Sequence, residues 1–136
     1  MPSAGYSGTP LIEKLGISDK MKVRMINAPE NYFELLEKNV QKQLSGKNEI
    51  PDFVHLFART NLDLIHVTAE LKKTLLVNPI VIIWISWYKK SAGIPTDVTE
   101  TDIRKYGLSI GLVDIKVCAI SELWSGLKFV VPKSKR

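Results

Sequence analysis

Residues 23–36 read VRMINAPENYFELL, and the parsing of this stretch decides the fold. Val23, Met25 and Ile26 suit a buried strand over Lys22 to Ala28. Pro29 then opens a helix, where its missing N–H costs nothing, and Tyr32, Phe33, Leu35 and Leu36 supply a packing face. A strand running into a helix is where nucleotide-binding α/β proteins place a glycine-rich turn. Here the turn is Asn27, Ala28 and Pro29, without glycine. Ala28 brings a Cβ toward any ligand, and Pro29 fixes φ and removes a backbone donor. The stretch therefore predicts a nucleotide-type scaffold that does not bind nucleotide in the ordinary way.

Working outward, Thr9 and Pro10 predict a short helix capped by Thr9, with Leu11, Ile12 and Leu15 apolar and Gly16 at its end. After the helix opened by Pro29 the pattern is weak: a short edge strand at Val40 to Leu44, then a loop near Gly46. Asp52 to Ala58 reads as a strand. The best-defined helix is Asn61 to Leu76, with Leu64, Val67, Leu71 and Leu75 on one stripe and Asp63, His66, Glu70 and Lys73 on the other. PIVIIWIS, residues 79–86, is almost continuously β-branched or aromatic, as in a central strand covered on both faces. Thr99 and Asp102 form a capping-box pair for a helix carrying Ile103, Tyr106 and Ile110 and ending at Gly111. Val113 to Ile120 and Gly126 to Val131 are joined by the short link SELWS, which favours an antiparallel pair. Alternating strands and helices imply an α/β fold, a mostly parallel sheet with helices on both faces. The expected organisation is a lead-in over residues 1–8, one domain over 9–131 and a basic tail over 132–136.

The chain has 136 residues, 45% of them apolar, which suits one domain with a real core and excludes a disordered polyelectrolyte. Its charge is +5, but Lys133, Lys135 and Arg136 of that excess lie in the tail. Only WYKK, Trp87 to Lys90, resembles the mixture of basic and aromatic residues that nucleic-acid binding needs, so nucleic acid is not the expected partner. Cys118 is the only cysteine, which rules out an internal disulfide. The first ten residues lack the pattern of a signal peptide, and the run Ile80 to Ile85 is too short to span a bilayer. A cytoplasmic, membrane-free protein is expected.

The closing segment GLVDIKVCAISELWSGLKFVV, residues 111–131, resembles the final helix end, penultimate strand and returning antiparallel strand of class I methyltransferases that use S-adenosylmethionine. The phrases AGYSGTPLIEKLGI, IPTDVTETDIRKYGL and LWSGLKFVVPK also look like a family of small bacterial Rossmann-like proteins of unknown function. The resemblance implies a three-layer Rossmann-like sheet with a C-terminal antiparallel hairpin, a minimal version of the methyltransferase fold. It also implies where the cofactor would sit, and there the motif fails. The glycine turn is replaced by Asn27, Ala28 and Pro29, and VQKQLSGK offers no carboxylate for ribose hydroxyls. No cofactor is expected.

Chemistry-bearing groups are sparse. No phosphate-binding loop motif and no G-x-S-x-G elbow occurs. His66 falls on a polar helix stripe, and His55 within DFVHLFA reads as a buried structural histidine. Cys118 reads as a packed strand residue, and Trp124 as an anchor over the sheet edge. Asn27, Arg59, Trp87, Tyr88, Lys89 and Lys90 fall near the carboxyl ends of the predicted parallel strands, where open α/β sheets bind ligands. Such a rim suits a small anionic ligand or an acidic peptide. The leading expectation is a non-catalytic binding or interaction module, including a homodimer through the hairpin near Trp124 to Val131, with Trp124 and Phe129 at the interface. The alternatives are a small-molecule enzyme that binds an anion at this rim and, ranked last, a weak nucleic-acid binder.

Overall fold

Every predicted strand except that at Val40 to Leu44 forms, and the five pair into a single sheet. The computed structural model describes residues 9–136; the lead-in over residues 1–8 lies outside them. In chain order the elements are α1 (Leu11–Leu15), β1 (Val23–Ile26), α2 (Tyr32–Leu36), β2 (Phe53–Phe57), α3 (Asn61–Val77), β3 (Ile82–Tyr88), α4 (Glu100–Ser109), β4 (Val113–Ala119) and β5 (Trp124–Val130). The spatial order is β1-β2-β3-β5-β4. β1, β2 and β3 run parallel, and β5 is antiparallel to both β3 and β4.

Alternation along the strands builds two apolar layers. Val54, Leu56, Ile83, Ile85, Leu127 and Phe129 face α3 and α4, where they meet Leu64, Val67, Leu71 and Ile103. Phe53, Phe57, Trp84 and Trp124 face α1 and α2, where they meet Leu11, Leu15, Tyr32 and Leu36. β2 is buried at every position, as expected of a strand covered on both faces. The α3 stripe buries Leu64, Val67, Leu71 and Thr74, with Leu75 only partly covered. Both capping boxes form: Thr60 with Asp63 starts α3, and Thr99 with Asp102 starts α4. At α1 the residue before the helix is Pro10 and no side chain caps it, so Thr9 does not play that role; Gly16 closes it with φ +86°.

Two local expectations change. Residues 40–44 form no strand. Gln41–Gln43 make a 3-10 turn and Leu44 a single parallel bridge to Val23, after which Ser45 N–H donates to Val23 O at 2.8 Å. Arg24 pins this strap, donating to Ser45 Oγ, Gly46 O and Glu70 Oε2. The outer edge of β1 is thereby covered. The second change concerns the hairpin: β5 is not an edge strand but lies between β3 and β4, so among the described residues β4 is the edge on that side.

One close approach positions α4. A Cβ on Gly107 would lie 2.2 Å from a ring carbon of Phe129, so the helix backbone rests directly on that ring. Phe129 is completely buried beneath it.

Candidate functional site

The helices change face between β1 and β2. α2, which follows β1, packs with α1, whereas α3, which follows β2, packs on the opposite layer. Helices diverging to opposite faces leave a crevice at the carboxyl ends of the two strands between them. Asn27 directly follows β1 and Arg59 lies just beyond β2, so these two residues stand on either side of it.

Asn27 takes a left-handed conformation, φ 58°, which asparagine tolerates better than most residues. Its carbonyl faces Arg59, whose Nη1 donates to it at 2.5 Å. The guanidinium also lies 5.1 Å from the ring centroid of Trp124. Trp124, the first residue of β5, is brought opposite Tyr88 by strand register and stacks on it at 4.1 Å and 24°. Its edge meets Phe57 at 4.9 Å. Arg59, Trp124 and Tyr88 thus form one continuous stack across the tops of β2, β3 and β5.

The start of α3 is occupied by the protein's own carboxylates. Asp63 Oδ2 accepts from the N–H of Arg59 at 2.8 Å and of Thr60 at 3.1 Å. Asp97 Oδ1 accepts from Asn61 N–H at 2.9 Å. Thr96 Oγ1 donates to Arg59 O, and Asn61 Nδ2 donates to Asp97 O, fastening the loop after β3 against the helix. These main-chain donors are what an external phosphate would use at a helix start, and here they are spent.

The predicted rim separates into parts. Asn27, Arg59 and Tyr88 come together through the stack. Lys89 is partly buried, with its main-chain N–H donating to Leu123 O, and Lys90 is exposed. Trp87 departs from expectation: strand alternation turns its side chain into the layer beneath α3 and α4, leaving it 6% exposed and unable to line the crevice. Trp124 and Phe129 are 2% and 0% exposed, so neither side chain offers a surface to a partner chain. The sheet edge on this side belongs to β4 instead. Trp124 is an interior packing residue against Phe57 and Tyr88, and not the anchor over a sheet edge that was expected.

Sequence reasoning missed two features. One is a groove of about 340 Å³ between α3 and α4, lined by Asn61, Leu64, Ile65, Asp102, Lys105, Tyr106 and Ser109. The other is a buried polar chain: Tyr32 Oη to His55 Nδ1 at 2.7 Å and His55 Nε2 to Ser86 Oγ at 2.7 Å. All three residues lie in the interior, and His55 also stacks on Phe57 at 4.2 Å. Burial lowers the His55 pKa to about 3, which keeps the ring neutral, and raises that of Tyr32. A neutral imidazole between two hydroxyls is fully paired and shielded from solvent, which suits a structural cross-link of α2, β2 and β3. Burial likewise raises the Cys118 thiol pKa, against the opposing charges of Lys116 and Lys14. Among the described residues no group of His, Cys, Asp and Glu is placed to hold a metal ion, and no helix is long and apolar enough to cross a membrane.

The fold has solved counterparts. A protein of the NADB-Rossmann superfamily from Streptococcus agalactiae superimposes with a TM-score of 0.58 over 94% of this chain and 70% of that one, at 6% identity. The fold is Rossmann-like. The PH0226 protein from Pyrococcus horikoshii OT3 aligns over 89% of this chain and 74% of its own, with a TM-score of 0.49 at 13% identity. No family model and no curated protein matches the sequence. In this Rossmann-like domain the crevice at the switch point is bridged by Arg59, lacks a glycine turn and keeps a cation on an aromatic support. Chemically, that arrangement can hold an anion.

Proposed function

We propose that this Rossmann-like domain is a binding module, not a methyltransferase, and that it takes an anionic group at Arg59. One observation carries the reading: a guanidinium is held on two sides, by the Trp124 ring and the Asn27 carbonyl, with no carboxylate in ion-pair range among the described residues. An arginine fixed before its ligand arrives gives up little conformational freedom on binding. Against methyl transfer stand the crowded turn at Ala28 and Pro29 and the strap at 41–45 where a ribose-binding strand end would be needed. A cytoplasmic location and kinship with small bacterial Rossmann-like proteins belong to the same reading. Lys89 and Lys90 would lie close enough in the chain to add positive charge, and weak nucleic-acid binding through them ranks last.

The test is calorimetric titration with S-adenosylmethionine, S-adenosylhomocysteine and a panel of anionic metabolites. Stabilisation by anions that Arg59→Ala abolishes is the expected outcome. Micromolar binding of S-adenosylmethionine would restore the enzyme reading.

A second reading, self-association, moves to the open edge of β4. Ile115 and Val117 are each 54% exposed there, and an unpaired edge is a ready template for a second chain. The bulge between Asp114 and Lys116 and the Lys116 charge oppose such pairing. Light scattering that reports a monomer over a wide concentration range removes this reading.

A further inference from the structure

The geometry points to the chemical class of the anion: we infer that Arg59 binds a carboxylate or phosphate through two parallel N–H bonds, using the side edge formed by Nε and Nη2. The inference rests on the anion reading above and deepens it.

A guanidinium has two bidentate edges, one formed by Nη1 and Nη2 and one by Nε and Nη2. Arg59 spends one N–H of Nη1 on Asn27 O, so the Nε/Nη2 edge is the one whose two nitrogens are both uncommitted among the described residues. Its Cζ lies over the Trp124 ring, 5.1 Å from the centroid. Nε and Nη2 have no partner among the described residues. The remaining donors therefore form one intact fork, already oriented by contacts to the other parts of the group.

The contrast with the other internal arginines sharpens the point. Arg24 is spent on Ser45, Gly46 and the Glu70 carboxylate. Arg104 is spent on the carboxylates of Glu100 and Asp114. Near Arg59 the available carboxylates face elsewhere: Asp63 accepts from the N–H groups of Arg59 and Thr60, and Asp97 from that of Asn61. Arg59 alone among the three keeps a fork and a full charge without a carboxylate. Chloride or a lone hydroxyl offers the fork a single acceptor atom, whereas two oxygens on one carbon or phosphorus give each N–H its own parallel bond. A lysine in its place would retain the charge and lose the fork.

The experiment titrates the full chain with sodium phosphate, phenyl phosphate and benzoate against sodium chloride at matched ionic strength. Calorimetry and the NMR resonance of the Arg59 Nε–H serve as readouts. Phosphate or carboxylate is expected to bind and shift that resonance, with chloride at matched ionic strength binding at least about tenfold more weakly. Replacing two charge-assisted bonds by one is expected to weaken binding about tenfold or more in Arg59→Lys. Phenyl phosphate binding without benzoate binding assigns a phosphoryl ligand, and the converse assigns a carboxylate; both support the fork. Arg59→Lys within twofold of wild type, or binding with an unmoved Nε–H resonance, overturns the fork while leaving an anion site. Absence of binding by every oxyanion overturns the anion reading itself. The resonance is observed in the unaltered protein, so the fork is tested even where a variant fails to fold.

Discussion

Arg59 reaches across the switch point of the sheet and donates to the main-chain oxygen of Asn27 at 2.5 Å, joining the ends of β1 and β2. In a Rossmann-like domain this is the gap a ligand would enter. The bond closes its floor with the protein's own atoms and holds Asn27 in the left-handed region, φ 58°.

That conformation makes the backbone at residue 27 measurable. Asn27→Gly is expected to leave stability within about 0.5 kcal/mol, because glycine adopts positive φ freely. Asn27→Val should cost about 1–2 kcal/mol, since a β-branched residue is strained there. Urea midpoints of the two variants check this, and equal midpoints would contradict it.

Gly107 and Phe129 predict a steric coupling. A methyl group on Gly107 would overlap the Phe129 ring at 2.2 Å, so Gly107→Ala should destabilise by about 1–3 kcal/mol. Phe129→Leu removes the colliding ring edge. In the double variant the cost of Gly107→Ala should fall by at least half, a non-additivity that a thermal-denaturation cycle detects.

His55 predicts a pH dependence with a defined sign. Its pKa is about 3 when folded, against the ordinary value of 6.5 when unfolded. The unfolded chain therefore binds the extra proton between these values, and stability falls as pH falls through that window. The slope from this group approaches about 1.4 kcal/mol per pH unit, and its stabilising contribution is complete above pH 6.5. Replacing His55 by Leu costs stability at every pH through the orphaned Tyr32 and Ser86 hydroxyls. The decisive readout is the slope between pH 4 and 6, which should be shallower in the variant; parallel slopes would sink the assignment.

Asp97 predicts a local effect without a global one. It ties the loop after β3 to Asn61, so Asp97→Ala should speed tryptic cleavage after Lys89 and Lys90 several-fold. The loss in global stability should stay near 1 kcal/mol, as for removal of one capping bond. Cleavage at the wild-type rate would mean that Thr96 Oγ1, bonded to Arg59 O, holds the loop alone.

The local rules held where one residue and its neighbours decide the outcome. The capping box at Thr99, the αL closure at Gly16, the α3 stripe and the doubly covered β3 all follow from short-range pattern. The reading failed where strand order decides. SELWS correctly implied a hairpin, but no local signal says that β5 inserts between β3 and β4. That one fact moved Trp124 and Phe129 from an edge into the interior. Trp87 failed for a related reason, because alternation inverts its side with every residue and the loop start left its register open. The Tyr32–His55–Ser86 chain joins residues of three elements and carries no sequence signal.

The amino-acid sequence by itself determined the α/β class, the starts of α3 and α4 and the loss of the glycine turn, because propensity, capping and period act over a few residues. Tertiary structure alone decided that Arg59 meets Asn27 and Trp124, which are 32 and 65 positions away in the chain. Those contacts exist only once sheet order places the ends of β1, β2 and β5 together, and sheet order is chosen by how all the apolar faces are buried at once.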